Sequence, residues 1–292
     1  MKQSVGDRIF LFLVYVFMIL LVIITVYPIF YTAVASLSDP RELLRHSGPL
    51  LWPLGQPTLE GYARSLSAPH IAVGYTNTLF YVLAGTSISL VLTTMGAFIV
   101  SRSHFMLRNL LMKGMLLTMF FSGGLIPLFF VIRDVGIFNT RWAFILPYAV
   151  STYNLIIMRS FFASIPASLE ESAMIDGAAD WRVLIHIYLP LSTPVLAVIT
   201  IYYGVGYWNS WYPALVFLRD RTLYPMQMFL RELLILNDLG RLQDASVMGD
   251  SAYYSELVKY CTIIISTVPI LLIYPFMQRY FVKGVMIGAI KG

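Results

Sequence analysis

Four of the chain's fifteen acidic residues lie in one short segment, SLEESAMIDGAADWRVLIHIYLP, at residues 168–190. Glu170 and Glu171 are adjacent there, and paired carboxylates are groups that general acid and base catalysis uses. Neighbouring residues of a helix point about 100° apart, so these two carboxylates cannot face one substrate. The pair predicts no catalytic dyad, and the segment needs another explanation.

The remaining reactive residue types do not form a recognisable catalytic or metal-binding pattern. The sequence has no GxxxxGKS/T phosphate loop, no HExxH and no GxSxG. His46, His70, His104 and His186 lack metal-ligand spacing, and the single cysteine, Cys261, cannot form an intramolecular disulfide. We therefore expect no catalytic residue, no metal site and no cofactor bound by this chain.

Composition indicates a membrane protein. Apolar residues make up 58% of the chain and charged residues 12%, whereas soluble domains have about 25% charged residues. The net charge of +5 is spread along the sequence, so we expect no nucleic-acid partner. A bilayer core about 30 Å thick needs about 20 apolar residues in helical form. The gaps between charged residues predict an all-α polytopic protein with six spans, at about 9–37, 72–100, 109–132, 142–160, 191–216 and 258–280.

The distribution of Lys and Arg predicts both termini in the cytoplasm. Six spans place the termini on one side of the membrane, and the segments on that side have the higher density of basic residues. The long segments 39–70 and 219–256 are then outside, and 159–190 is inside. No internal repeat is evident, so we expect one transmembrane domain, residues 1–292.

Turn and cap signals divide the acidic segment into two short helices. Ser168 is placed to cap the first helix, with Glu171 at the acidic position of a capping box. Gly177 accepts the positive φ that ends a helix, Asp180 is placed to cap the second helix, and Pro190 closes it. The pattern predicts a helix, a glycine turn and a helix at the cytoplasmic surface, either as a docking element or as a passive interfacial hairpin.

The same segment resembles the EAA loop of ABC importer permeases. The matching pattern is Glu171-Ser172-Ala173, three residues, Gly177, nine residues, Ile187, one residue and Leu189-Pro190, with Ser172 in place of the usual Ala. NTLF, MRSFFASIP, GYWNSW and QRYFVKGVMIGAIKG are similar to the carbohydrate-importing branch, and FSGGLIP and LYPMQMFLREL to its subgroup for complex or acidic oligosaccharides such as alginate.

The resemblance implies a type I ABC importer permease fold in a bacterial cytoplasmic membrane, with 166–190 as the coupling loop. The implied partners are a second, different permease, two ATPase subunits that bind ATP and magnesium, an extracytoplasmic sugar-binding protein, an oligosaccharide and membrane lipid. The residues expected to contact the ATPase are Glu170, Glu171, Ala173, Met174, Asp176, Gly177 and Ala178.

Polar and aromatic residues inside the spans are candidates for the substrate path, because sugar rings stack on aromatic faces and amides bind hydroxyls. Interfacial aromatic belts and interhelical hydrogen bonds explain the same residues without a substrate. The candidates are Asn77, Asn154, Tyr203, Tyr207, Trp208 and Asn209.

The outer segments favour an acidic substrate, because arginine forms two parallel hydrogen bonds with a carboxylate. Nearby Asp39, Glu42, Asp134, Asp220 and Glu232 offer the alternative of internal ion pairs. Neutral glycans are the second candidate substrate, and an ion-coupled secondary transporter is disfavoured because the six span cores are expected to lack charge. The outer basic residues are Arg41, Arg45, Arg64, Arg133, Arg141, Arg219, Arg221, Arg231 and Arg241, against one lysine, Lys259.

Overall fold

The computed structural model describes the backbone of residues 5–242 and 249–289, and the side chains of residues 6–235, 253–273 and 275. Regular structure in the described residues is helical throughout, which confirms the all-α prediction. A π-helical segment spans Leu184–Tyr188, and 3₁₀ segments span Leu146–Tyr148 and Arg221–Leu223. The α-helices are α1 Val5–Ala35, α2 Pro40–Arg45, α3 Glu60–Ser67, α4 Pro69–Ser101, α5 Arg108–Phe120, α6 Leu125–Asp134, α7 Arg141–Ile145, α8 Thr152–Phe162, α9 Ala167–Ile175, α10 Asp180–Val183, α11 Leu189–Leu191, α12 Thr193–Trp208, α13 Tyr212–Phe217, α14 Met226–Leu242 and α15 Gly249–Ala289.

Three helices of the described chain are long and apolar enough to cross a membrane: Gly6–Ala35, Pro69–Ser101 and Tyr253–Ile273. Two further pairs pass the same test if each bent pair is one span. Helices α5 and α6 meet at 117°, and the run Asp180–Leu191 meets Thr193–Trp208 at 86°. The described residues therefore contain three to five candidate spans, a number consistent with six in the whole chain.

The predicted spans 109–132 and 142–160 are not single helices. The first is interrupted between α5 and α6, where Gly124 has φ +84°, a conformation that favours glycine. The second is divided into α7, a 3₁₀ turn and α8, and α8 starts afresh at the N-cap residue Ser151. Hydropathy marks both segments as apolar, but backbone geometry breaks the helices.

Contacts group the chain into two compact units, Met1–Ile71 with Leu230–Val268 and Ala72–Phe229 with Pro269–Gly292. The organisation as one transmembrane domain stays a prediction. In the first unit, α3 lies directly against α15. A Cβ on Gly61 would lie 2.6 Å from the Cys261 sulfur, so only glycine permits this approach.

The last spanning helix carries a buried ion pair near the start of the predicted span 258–280, before the run 260–278, which is uncharged. Glu256 is 4% exposed and Lys259 8% exposed, and the Lys259 Nζ lies 2.5 Å from the Glu256 carboxylate. Both lie within Tyr253–Ile273. Their mutual neutralisation allows the two charges to be buried in an apolar helix.

The second unit has an aromatic core that positions the candidate site. The rings of Tyr81 and Phe144 stack with centroids 4.1 Å apart, and both side chains are fully buried. A Cβ on Gly85 would lie 2.6 Å from the Tyr207 ring. Helices α4 and α12 thus approach each other closely, because a glycine on α4 faces a tyrosine on α12.

Candidate functional site

The predicted helix, glycine turn and helix are present. Helix α9 ends at Ile175, and Gly177 follows with φ +80°, which glycine adopts without strain. The second helix begins at Asp180 and continues through the π-helical segment to Leu191. It therefore ends one residue beyond Pro190, the predicted end.

The predicted capping residues are wrong. Helix α9 begins at Ala167, with Pro166 as its N-cap residue, so Ser168 lies inside the first turn and makes no cap hydrogen bond. The N-cap residue of α10 is Ala179, so Asp180 also lies inside its helix. The Asp180 carboxylate forms an ion pair with Arg102 instead of capping the helix.

That ion pair belongs to a cluster around Arg102, the residue that follows α4. The Arg102 Nε donates to Glu170 Oε1 at 2.6 Å, and its Nη1 lies 2.7 Å from Asp180 Oδ1. The other oxygen of Glu170 accepts from the Tyr188 hydroxyl at 2.7 Å. Burial alone lowers the pKa of Arg102, but its hydrogen bonds to Asp180 and Glu170 outweigh burial and raise that pKa. The guanidinium is therefore a permanent cation.

Glu170 consequently differs from our expectation. Its side chain is only 12% exposed and both carboxylate oxygens have partners within the chain. Ala173 and Ala178 are half-buried and pack against the aromatic core. The outward surface of the loop is formed instead by exposed residues, including three apolar side chains: Glu171, Met174, Ile175, Asp176, Gly177 and Trp181.

Four of the six predicted path residues line one cavity of about 990 Å³, namely Asn154, Tyr203, Tyr207 and Trp208. The Asn154 side chain is 5% exposed, and its amide makes no hydrogen bond to another described residue. Interhelical hydrogen bonding therefore does not account for this amide among those residues. The cavity wall also carries further tyrosines, which are Tyr148, Tyr153, Tyr202 and Tyr212.

The hydroxyl groups of the two buried tyrosines already have partners in the wall. The Tyr203 hydroxyl lies 2.6 Å from Thr93 Oγ1 and accepts from the Ser151 backbone N–H at 3.0 Å. The Tyr207 hydroxyl lies 3.1 Å from the Ser89 hydroxyl. These two residues offer ring surface, not free hydroxyls, to a ligand.

Asn77 and Asn209 do not line this cavity. Asn209 is an exposed C-cap residue of α12. Asn77 is 2% exposed and holds a loop: its amide nitrogen donates to the Thr222 carbonyl at 2.6 Å and to the Tyr224 carbonyl at 3.1 Å. Its amide oxygen accepts from Arg141 at 3.0 Å. Asn77 is thus a structural cross-link.

Four arginines lie around the loop that Asn77 holds at Thr222 and Tyr224. We call Arg133, Arg141, Arg219 and Arg221 the basic corner. Three of them lie next to one small buried core in the sequence. Arg133 follows Ile132, Arg141 lies two positions before Ala143, and Arg219 lies two positions after Phe217. Ring faces orient three of the guanidinium groups, with distances to the ring centroids of 4.5 Å for Arg141 over Phe80, 5.3 Å for Arg219 over Phe138 and 5.8 Å for Arg221 over Phe229.

The loop of the basic corner is fixed by side-chain bonds that sequence reasoning missed. Asn139 has φ +57°, and its side-chain oxygen accepts from the backbone N–H groups of Arg219 at 2.7 Å and Asp220 at 2.9 Å. The Tyr81 hydroxyl donates to the Leu223 carbonyl at 2.7 Å. Only the residue type of Asn139 could have indicated this turn from the sequence, since asparagine tolerates a positive φ in turns.

Internal ion pairs leave two arginines of the basic corner without a carboxylate partner in the described part of the chain. Asp220 accepts from the Thr222 backbone N–H, and hydrogen bonds from Thr222 lower the pKa of Asp220. Neither Arg133 nor Arg219 forms an ion pair with a described residue. Arg64 does, with Glu60 at 2.7 Å. The side chain of Arg241 lies outside the described residues.

Comparison with known proteins identifies the family. Residues 93–224 match the model of the binding-protein-dependent transport system inner membrane component. Over 290 residues the chain is 37% identical to the polygalacturonan/rhamnogalacturonan transport system permease protein YtcP of Bacillus subtilis (strain 168), covering 98% of this chain and 99% of that protein. The chain belongs to this family of ABC transporter permeases.

Further similarities extend over the whole permease. It is 31% identical over 298 residues to the trehalose/maltose transport system permease protein MalG of Thermococcus litoralis, with all of both chains covered. It is also 31% identical to a solved chain of a bacterial ABC transporter involved in the import of the acidic polysaccharide alginate. That structural match has a TM-score of 0.87 and covers 96% of this chain and 99% of the other. The resemblance to carbohydrate-type ABC importer permeases is therefore confirmed.

Proposed function

We propose that this permease is a pore-forming subunit of an ABC importer for acidic oligosaccharides, such as uronate oligomers related to alginate or polygalacturonan. The basic corner carries this proposal. Two of its arginines lack an internal carboxylate partner among the described residues, and its loop is fixed by the Asn77 and Asn139 hydrogen bonds. A pre-oriented guanidinium binds a carboxylate through two parallel hydrogen bonds at low entropic cost.

The family comparisons support the same substrate class. The polygalacturonan/rhamnogalacturonan permease is 37% identical to this chain, and the trehalose/maltose permease 31% identical. The chain of the alginate transporter has the same overall fold with a TM-score of 0.87. A neutral complex glycan is the second candidate, because the tyrosine-lined cavity suits sugar rings whether or not they carry carboxylates.

We infer that the cavity is part of the substrate path. Asn154 offers a buried amide without a described hydrogen-bond partner, and Tyr203, Tyr207 and Trp208 offer aromatic surface. Sugar rings pack their apolar faces on aromatic rings, while an amide binds their hydroxyls. We do not include Asn77 and Asn209, since one fixes a loop and the other caps a helix.

The loop 166–190 is proposed as the contact to a separate ATPase subunit, which would hold ATP and magnesium. Met174, Ile175 and Trp181 are 40%, 86% and 57% exposed. A cluster of exposed apolar side chains is typical of a protein contact. Gly177 has no neighbouring atom within 4 Å of a Cβ position, so a partner can approach its backbone closely. A second, different permease, a second ATPase and an extracytoplasmic binding protein complete the proposed importer.

The substrate proposal is tested by ATPase activity of the complete importer in proteoliposomes with its binding protein. Alginate or galacturonate oligomers are expected to stimulate hydrolysis, whereas neutral gluco- and xylo-oligosaccharides are not. Stimulation by neutral oligomers without any response to uronate oligomers would contradict the acidic assignment and favour the neutral-glycan importer.

The orientation, with cytoplasmic termini, is tested by single cysteines. Ala178→Cys is expected to react with a membrane-impermeant thiol reagent only from the cytoplasmic side, and Gln56→Cys only from outside. The native Cys261 is buried and serves as the internal unlabelled reference. Labelling of the two positions from the opposite sides would reverse the proposed topology.

A further inference from the structure

The Arg102 side chain is bonded to both helices of the loop 166–190. It is 5% exposed and follows Ser101, the last residue of α4. Its guanidinium is hydrogen-bonded to Glu170 on α9 and ion-paired with Asp180 on α10. One side chain thus joins the end of a spanning helix to two separate helices that are distant from it in sequence.

Aromatic packing makes this connection rigid. The Arg102 guanidinium carbon lies 4.9 Å from the centroid of the Phe98 ring. The Tyr188 ring is edge-on to Phe98, with centroids 5.0 Å apart, and edge-on to Phe162 at 5.3 Å. Since Tyr188 also donates to Glu170, Arg102, Glu170, Phe98 and Tyr188 each contact at least two other members of the cluster. Such a cluster moves as a unit or breaks, because buried charges left without partners are strongly unfavourable.

The cluster provides a second mechanical route from the loop to the spans. The backbone connects the loop only to α8 and α12, its neighbours in sequence. The bonds of Arg102 add a direct connection to α4, the helix whose residues Ser89 and Thr93 bond to Tyr207 and Tyr203 of the cavity wall. A displacement of the loop therefore reaches α4 without passing through α8 or α12.

We propose that Arg102 is a positioning residue for transport: it locks both loop helices to α4, so that movement of the loop is transmitted to that helix. This inference rests on the proposed function of the loop as the ATPase contact. Lysine cannot replace arginine here, because one ammonium group lacks the planar fork that engages Glu170 and Asp180 together. Loss of the Arg102 contacts is expected to uncouple ATP hydrolysis from transport, while the surface of the loop stays intact.

The test compares Arg102→Lys with wild type in the complete importer, reconstituted with its binding protein and supplied with uronate and neutral oligomers in parallel. The variant is expected to retain the ATPase during purification, but to hydrolyse about tenfold more ATP per oligosaccharide imported, within the range of a typical coupling free energy. A merely misfolded permease would lower hydrolysis and import together. The matched control is Arg108→Lys, since Arg108 forms no ion pair with a described residue, and it should keep the wild-type ratio.

A second pair of variants keeps the inference testable if Arg102→Lys does not assemble. Asp180 is 70% exposed, so Asp180→Asn removes one bond at little structural cost, and a smaller rise in ATP per substrate is expected. The double variant Arg102→Gln with Glu170→Gln should raise the ATP used per substrate no more than the more affected single variant does, because both residues act through one contact. A wild-type ratio in Arg102→Lys, or in Asp180→Asn if the former fails, overturns the proposal.

These outcomes are separable from failure of the proposed ATPase contact. If the loop is not that contact, blocking its surface leaves ATPase co-purification unchanged. The Arg102 variants are judged instead by ATP used per substrate. An altered ratio with an intact complex supports the positioning role, whereas an unaltered ratio with an intact complex contradicts it.

Discussion

The Arg102 cluster and the basic corner use the same side chain in opposite ways. At Arg102, a buried guanidinium is paired with two carboxylates of its own chain. In the basic corner, Arg219 is exposed and forms no ion pair with a described residue, and only a ring and a fixed backbone orient it. Arg102 therefore connects helices within the protein, whereas Arg219 is accessible to a ligand.

The difference shows that the partners of an arginine, not its presence, indicate its role. A buried guanidinium that is paired with two carboxylates is inaccessible to an external group, and removing a partner leaves an uncompensated charge. An exposed guanidinium held over a ring keeps its donors, at little loss of stability if it is replaced. The Arg64–Glu60 pair is intermediate, because it is paired but exposed.

The largest effect is expected at the loop surface. Gly177→Trp should abolish ATPase binding and uptake while the permease still inserts in the membrane, because the ring blocks backbone approach. Gly177→Ala shares the unfavourable positive φ, which costs about 1 kcal/mol, but adds little bulk, and should retain most activity. Glu171→Lys should also weaken binding, because it reverses the charge of an exposed side chain on the loop surface. Co-purification and uptake assays measure all three.

A second glycine provides the matched control for that prediction. Gly136 also has φ +80° and no atom within 4 Å of a Cβ position. Gly136→Trp should therefore carry the same backbone strain without affecting ATPase co-purification. Equal loss of the ATPase in both variants would mean that strain, not the loop surface, causes the defect.

An intermediate effect is expected in the basic corner. Arg219→Gln should reduce stimulation by uronate oligomers about tenfold, because a charge-assisted hydrogen bond contributes about 1.5–3 kcal/mol. Stimulation by any neutral oligomer that is active should not change. Arg64→Gln, which removes an arginine already paired with Glu60, should have little effect on either. Equal losses in the two variants would remove the distinction between paired and unpaired arginines.

The smallest effect is expected from removing the hydrogen bonds that fix the loop of the basic corner. Asn77→Ala removes three hydrogen bonds and leaves two part-buried carbonyls without this donor, at a cost of about 1–3 kcal/mol. A thermal melt in detergent should show a melting temperature lowered by a few degrees. Asn209→Ala, at an exposed helix end, should melt as wild type does. An unchanged melt of Asn77→Ala would show that the loop does not depend on this residue.

Local chemistry made the two short helices and glycine turn of loop 166–190 predictable from the sequence. The Asp-Gly pair at 176–177 specifies a helix end, and the structure has Gly177 at φ +80°. Capping was less predictable, because Ser168 and Asp180 suit a cap position but the N-cap residues lie two and one positions earlier, respectively. In the case of Asp180, the distant Arg102 provides a stronger partner than the helix terminus does.

Long-range partners and helix breaks were not predictable. Arg102 and Glu170 are 68 residues apart, and Asn77 is 145 residues from Thr222, distances over which a single sequence carries no pairing signal. Hydropathy likewise identified 109–132 as apolar but not as two helices at 117°. The cavity residues Tyr203 and Tyr207 were identifiable as aromatic groups inside a span, whereas the partners of their hydroxyls were not.

The most direct test of the account compares one oligouronate with its carboxyl-reduced form, which has the same linkages but no charge. Both are supplied at equal saturation of the binding protein, and import into proteoliposomes by the wild-type importer and by Arg219→Gln is measured. Wild type is expected to import the acidic oligomer much faster than the reduced one, and Arg219→Gln is expected to lose most of this preference. Equal import of the two oligomers by the wild-type importer would contradict this expectation.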